Sequence, residues 1–257
     1  MENERKKMTK LVHALLCMGE ALVSCGAEIF RVEDTLNRVG YAYGASNMNV
    51  FVITSSIVIT MEMPDGQLMT HTRRIRNANG TDFTRLEKLN ELSREISSSP
   101  IPPEKLEERI KEIASGKCRR RELLAGYVLA SAFFTIFFGG SLYDAAAAGV
   151  VGVFIWILAI YLMPFCMNNV VYQFSASLLS GLLICAAAKI FPVLSMEHIM
   201  IGDIMLLIPG IMFTNSLRDV LLGDTISGAM RLIEAILLTF ALVLGFVAAI
   251  WIVGRAL

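Results

Sequence analysis

From residue 145 to residue 188 the chain carries no aspartate, glutamate, lysine or arginine. Asp144 and Lys189 bracket this stretch, which is far longer than the ~20 apolar residues that one membrane helix needs. It reads as two spans in succession, with the break at Pro164 to Asn169. Only closed backbone structures survive in hydrocarbon, so each arm is a helix. Three more apolar runs follow the same logic. Leu123 to Tyr143 has no charge, Ile199 to Leu217 has only Asp203, and Ala235 to Gly254 again has none. The sequence therefore predicts five transmembrane helices, near 123–143, 145–163, 170–188, 199–217 and 235–254. Small residues four apart, Ala148 with Gly152 and Ser177 with Gly181, suit close contact between helices.

Before these spans the composition is different. Residues 1–121 hold 19 of the 23 basic and 16 of the 23 acidic residues. Residues 1–116 have the composition of a soluble domain, and 117–257 that of a membrane domain. An amphipathic helix is expected over 8–24, with Leu11, Leu15, Met18 and Leu22 on one side and Gly26 as its stop. Ala27 to Gly44 gives a second, charged helix. Residues 48–63 are rich in β-branched residues, and Pro64-Asp65-Gly66 turns the chain into a returning strand over 67–73. A basic run, Arg73, Arg74 and Arg76, reads as a wetted strand edge. Helices over 81–96, with Asp82 near its start, and 104–114 complete an α+β domain. The expected fold class is thus an α-helical membrane protein with an N-terminal α+β cytoplasmic domain.

Orientation follows from the basic residues. Lys117, Arg119, Arg120 and Arg121 open the first span, and Arg218 and Arg231 lie in the connection between the fourth and fifth. With five spans these fall on one side, the cytoplasmic one. Lys6-Lys7 followed by an apolar run ending at Cys25 imitates a cleavable signal. Glu20 within that run, and the basic cluster that would then lie outside, argue for a retained helix. The balanced charge of each half points away from a nucleic-acid partner.

Signatures of catalysis are missing from the sequence: there is no G-x-S-x-G, P-loop, G-x-G-x-x-G or H-E-x-x-H. The chain is read as no enzyme, with no cofactor and no metal. His13, His71 and His198 lie in separate elements, and the five cysteines (Cys17, Cys25, Cys118, Cys166, Cys185) form no C-x-x-C pair. Secondary transport or a channel is what remains.

The stretch best fitted to transport is Ile204 to Glu234. Pro209-Gly210 interrupts an apolar helix and frees a backbone carbonyl, that of Met205, which in lipid must find another partner. Asn215, Arg218, Asp219, Asp224, Arg231 and Glu234 follow. Charges beside a broken membrane helix are costly and mark pathways. An arginine can hold a substrate carboxylate, and an aspartate can carry a coupling proton. Pro209, Gly210, Asn215, Arg218, Asp219, Asp224, Arg231 and Glu234 are the candidate pathway residues. In the N-terminal half, Glu28 with Arg31 and Arg31 with Asp34 are three apart, the spacing of helix-surface ion pairs, and Glu33 lies among them.

SCGAEIFRVEDT (24–35) and LLIPGIMFTNSLRDVLLGDTISGAMRLIEA (206–235) together resemble the two signatures of the ThrE family of bacterial threonine/serine exporters, in order, over nearly the whole chain. On the first motif fall Gly26, Glu28, Arg31, Glu33, Asp34 and Thr35. On the second fall Pro209, Gly210, Asp219, Gly223, Asp224 and Gly228. Long members of that family carry about twice as many spans. Shorter ones divide the architecture between two chains, and this chain is similar to the larger, YjjP-like one. The resemblance implies a smaller YjjB-like membrane partner and a place in the bacterial inner membrane. It implies ion-driven export of threonine, serine or a small dicarboxylate such as succinate, with a proton as coupling ion. A membrane-tethered metabolite sensor, or regulatory subunit of a transport complex, is the alternative.

Overall fold

The computed structural model describes residues 2–75, 81–116 and 120–255, with side chains from residue 5 onward. Arg76, Lys117, Cys118 and Arg119 lie outside the described residues. The chain divides into two compact units. One takes Met1–Lys117 and Thr214–Arg231; the other takes Cys118–Phe213 and Leu232–Leu257.

The first unit begins with α1 (Glu2–Ser24) and α2 (Ile29–Ala42). Leu11, Leu15, Met18 and Leu22 of α1 are buried, as are Ile29, Val32, Leu36 and Val39 of α2, so each helix turns its three-and-four-spaced apolar stripe inward. Strands β1 (Asn47–Ile53), β2 (Ser56–Glu62) and β3 (Leu68–Arg74) make an antiparallel sheet in chain order. The β-rich run 48–63 is two strands rather than one. Ile53 pairs with Ser56, which leaves Thr54-Ser55 as a two-residue hairpin turn without the usual glycine or asparagine signal. Ile57, Ile59 and Met61 alternate into the core. The second turn is closed by Met63 N–H to Gln67 O at 2.9 Å and by the Asp65 carboxylate, which accepts from the Gln67 amide at 3.1 Å.

Helices α3 (Phe83–Ser98) and α4 (Pro103–Ser115) cover the core. Asp82 caps α3 by accepting from the Arg85 amide at 3.0 Å, and proline occupies the first position of α4, where its missing N–H costs nothing. Leu15, Leu22, Leu36, Ile57, Leu89 and Leu106 form the centre of one cluster. Each such side chain contributes about 1.5–3 kcal/mol by leaving water.

The second unit holds α5 (Arg120–Phe137), α6 (Leu142–Tyr161), a 3-10 turn (Met163–Phe165), α7 (Asn169–Ile190) and α8 (Met196–Leu207). Helices α9 (Gly210–Leu221) and α10 (Thr225–Arg255) have residues in both units. Among the described residues three segments are long and apolar enough to cross a membrane: Leu142–Phe165, Asn169–Ile190 and Thr225–Arg255. The count becomes four when the broken pair Met196–Leu207 and Gly210–Leu221 is taken as one span. The run near 123–143 does not reach that standard. Helix α5 starts with Arg120, Arg121 and Glu122, and it ends at Phe137 before Gly139 turns the chain at φ 94°. Its uncharged part is roughly 22 Å long at 1.5 Å per residue, short of a ~30 Å hydrocarbon core.

The exterior of this unit is apolar, with Leu129, Phe133, Val150, Ile157, Phe240 and Val247 exposed. Its interior mixes apolar side chains such as Ile155, Ile184, Leu242 and Phe246 with buried small polar ones, Ser131, Thr135, Ser177 and Ser180. An apolar exterior around helices that meet through small and polar residues is what a lipid environment selects. Ser177 donates to Gln173 O at 2.8 Å within its own helix, and Gly181 stands against Ala249 and Phe246 of α10.

Candidate functional site

The N-terminal motif and the post-proline motif meet inside the first unit. Helix α1 ends at Ser24, and Gly26 takes the left-handed conformation (φ 87°) that reverses the chain into α2. This exposes two consecutive carbonyls. The Asn215 side-chain amide donates to Gly26 O at 3.3 Å, and Arg231 donates from Nη2 to Ala27 O at 2.8 Å. Arg231 also places Nη1 3.1 Å from Asp219 Oδ2. Asp219 is fully buried and Arg231 is 8% exposed. The Ile29 amide, in the open first turn of α2, faces the same carboxylate. One buried aspartate thus joins a helix N-terminus and an arginine.

A second, wetter layer lies outside this pair. Arg218 Nη1 donates to Glu28 Oε1 at 2.7 Å, and Arg31 Nε stands 3.5 Å from Glu28 Oε2. Glu28 is therefore shared between two arginines, both well exposed. Glu33 is half-buried and accepts from the Val52 amide at 2.8 Å. Burial pushes its carboxyl up, the Val52 hydrogen bond pulls it down, and the nearby Asp224 charge pushes it up again. Burial also raises the Cys25 thiol, with Asp82 adding to the rise and Arg85 opposing it.

The turn between α9 and α10 needs close packing. Gly223 has φ 100°, and the Asp224 amide returns to Asp219 O at 2.9 Å. At Gly228 a Cβ would lie 2.7 Å from Ser216 O and 2.9 Å from the Val220 nitrogen, so only glycine lets α10 pass α9 here.

Of the residues singled out from the sequence, Gly26, Glu28, Arg31, Asn215, Arg218, Asp219 and Arg231 form one connected cluster. Glu33 and Asp224 interact through charge. Asp34 is exposed, and no hydrogen bond or ion pair joins its side chain to another described residue. Pro209, Gly210 and Glu234 belong to the other unit. There α8 stops at Leu207, and the buried Gln173 side chain on α7 donates to Leu207 O at 2.5 Å. A carbonyl at the end of α8, that of Leu207 rather than the Met205 carbonyl facing Pro209, is thus answered from a neighbouring helix. Gln173 carried no sequence signal, being a lone amide in an apolar run.

Among the described residues one trio, His13, Cys17 and Glu107, brings possible metal-ligand atoms within 4.8 Å of one another. Arg73 occupies its edge: Nη1 donates to Cys17 Sγ at 2.8 Å, and Nη2 lies 3.3 Å from His13 Nε2. A guanidinium there repels a cation. The geometry is that of a hydrogen-bonded chain, with His13 accepting from Arg73 at Nε2 and facing Glu107 Oε2 at 3.4 Å through Nδ1. Arg73 is accordingly a partly buried strut, also 3.5 Å from Glu20, rather than a wetted strand edge.

An apolar-surfaced helical unit with polar interior contacts, joined in one chain to an α+β unit, defines a multi-pass helical membrane protein. The family model of ThrE, described as "Putative threonine/serine exporter", matches residues 13–253, and the chain belongs to that family. It is 22% identical over 235 residues to the "Threonine/serine exporter" of Corynebacterium glutamicum, covering 89% of this chain and 48% of that protein. The chain thus spans about half the length of that relative. It is 25% identical over 264 residues to the "Probable succinate transporter subunit YjjP" of Klebsiella aerogenes, covering 98% of this chain and 96% of that one. No solved structure gives a significant match. Membership in an exporter family supports a transport role.

Proposed function

We propose that the chain is the larger subunit of a two-component secondary exporter of threonine, serine or small carboxylates such as succinate. It works with a smaller, YjjB-like membrane chain in the bacterial inner membrane and is driven by protons. The observation that carries this reading is the end-to-end agreement with the Klebsiella subunit in length, set against the Corynebacterium exporter, of which this chain covers only 48%. In this reading the smaller chain corresponds to the part of the longer exporter that this chain does not match.

In this reading residues 1–116 form a cytoplasmic domain and 117–257 a membrane domain. Helix α5 and the broken α8–α9 pair complete five crossings. Arg120, Arg121, Arg218 and Arg231 then share the cytoplasmic side. A substrate carboxylate competes with Glu28 for Arg218, an exposed pair that costs little to open. The Asp219–Arg231 pair fixes the frame in which that exchange takes place. Cells lacking their own exporters test this: co-expression of both chains is expected to lower internal threonine, serine or succinate, and Arg218→Ala to abolish the effect. Unchanged efflux with Arg218→Ala sinks the assignment of Arg218.

A second reading, a metabolite-binding regulatory subunit, is favoured by a cleft of about 520 Å³ in the first unit lined by Lys88, Glu91, Glu95, Arg109 and Glu112. Against it, Arg109 is already held two-point by Glu95, at 2.6 and 2.9 Å. Metabolite-dependent thermal stabilisation of the full chain, lost on Arg109→Ala, would support this second reading.

A further inference from the structure

Asp203, on α8, is completely buried in the second unit, and no ion pair reaches it among the described residues. Its Oδ1 hydrogen-bonds the Ser131 hydroxyl of α5, while its Oδ2 has no hydrogen-bond partner. The Ser131 hydroxyl also lies 2.8 Å from the carbonyl oxygen of Ala148 on α6. Thr135, one turn along α5, spends its own hydroxyl proton on Ser131 O at 2.9 Å.

A serine hydroxyl owns one proton. Ser131 cannot donate to Ala148 O and to a carboxylate at the same time. Both contacts are hydrogen bonds only when the carboxyl carries a proton and donates it to Ser131 Oγ, leaving the serine proton for Ala148 O. An ionised Asp203 would leave a buried anion with a single donor and one bare oxygen, a costly state. Asp144 shows the contrast. It is equally buried, but its Oδ1 accepts from the Ser195 amide at 2.6 Å, and its Oδ2 from the Ser141 amide and hydroxyl at 2.8 Å each. That carboxyl has the donors an anion needs; Asp203 does not.

We propose that Asp203 is a proton-binding site of the membrane unit, protonated in this conformation and read out by Ser131. Loss of the proton to water leaves a carboxylate that claims the Ser131 hydroxyl proton. The hydroxyl then turns from Ala148 O to Asp203, exchanging an α5–α6 hydrogen bond for a stronger α5–α8 one. Gly202, beside Asp203, lets α8 lie against α5 closely enough for this: a Cβ there would be 2.9 Å from Ser131 O. The other titratable groups on these helices are Arg120, Arg121, Glu122 and Tyr127 on α5, Tyr143, Asp144 and Tyr161 on α6, Tyr172, Cys185 and Lys189 on α7, and Glu197 and His198 on α8 itself. None of them pairs with Asp203, and among the described residues the side chain that hydrogen-bonds it is Ser131. That Asp203 carries the coupling proton rests on the exporter reading; that it binds a proton does not.

The test is infrared difference spectroscopy of the full chain in phospholipid vesicles, stepped from acid to alkaline pH. The wild type is expected to show, at neutral pH, the C=O stretch of a protonated carboxylic acid in an apolar setting, displaced in heavy water and lost at alkaline pH. Asp203→Asn should remove the band. Ser131→Ala should keep it but move it to higher frequency, which also serves should the Asn variant fold poorly. No such band at neutral pH, or a band untouched by both substitutions, overturns the proposal. Co-reconstitution with the smaller chain separates the two claims. Asp203→Asn should lose gradient-driven efflux and keep substrate exchange, whereas a wild type that transports nothing refutes the exporter reading and leaves the infrared result on proton binding unaffected.

Discussion

Arg231 donates to the carbonyl oxygen of Ala27 at 2.8 Å, although 204 positions separate them in the chain. Through the same guanidinium it faces Asp219, so the reversal after α1, the start of α2 and the α9–α10 turn are held at one point. A buried ion pair adds little net stability, but removing one partner strands the other charge. Asp219→Ala and Arg231→Ala are each expected to cost ~3–5 kcal/mol. The double variant should cost less than the sum of the two. Chemical unfolding of the full chain in detergent measures all three, and strict additivity would refute the coupling.

Glu28 and Arg218 are expected to behave differently. Their pair is open to water on the arginine side, so Glu28→Gln should change stability by less than ~1 kcal/mol. If the substrate carboxylate competes with Glu28, the same substitution should lower the substrate concentration for half-maximal efflux. A higher half-maximal concentration would contradict competition.

Gly228 sits where α10 crosses α9. Gly228→Ala puts a methyl group against Ser216 O and the Val220 backbone, which cannot swing aside as a side chain would. A loss of ~1–3 kcal/mol is expected from such overpacking, visible as a lower melting temperature. An unchanged melting temperature would contradict the close approach.

Glu33 provides a pH dependence. Its carboxyl is held above the ordinary glutamate range, chiefly by burial. A group that is harder to ionise in the folded chain favours folding at low pH. That contribution is lost as pH rises through its raised native value. Glu33→Gln keeps an acceptor for the Val52 amide without the charge. The variant is expected to melt higher than the wild type at neutral pH, and the gap should close well below the ordinary glutamate pKa of about 4.3, where the group is protonated in both states. A gap of equal size at both pH values would contradict this.

Much of this architecture is legible in the sequence, where local pattern and local structure agree. The stripe Leu11, Leu15, Met18, Leu22, the cap at Asp82 and the break after Pro164 follow from spacing and turn chemistry alone. What stayed hidden depends on partners far away in the chain. The hairpin at Thr54-Ser55 lacks turn residues because the pairing on either side fixes it. Helix α5 is shorter than the apolar run 123–143 suggests, because that run continues past the turn at Gly139. Within the candidate site, the charged residues were legible but their partners were not. Gly26 O, Ala27 O and the Ile29 amide are backbone groups with no sequence signature, and Arg218 could not be seen to be already engaged by Glu28. Asp203 stood out as the lone charge of its span, yet Ser131, 72 positions earlier, gave no sign of meeting it.

Transport by two chains together can be measured directly. Purified chain and its smaller partner, each alone and both combined, can be placed in vesicles loaded with labelled threonine, serine or succinate under an imposed proton gradient. Efflux of at least one of these is expected from vesicles holding both chains, and none above background from vesicles holding either alone. Efflux at the full rate from vesicles holding this chain alone would contradict the two-component exporter, and so would no efflux of any of the three from the combined pair.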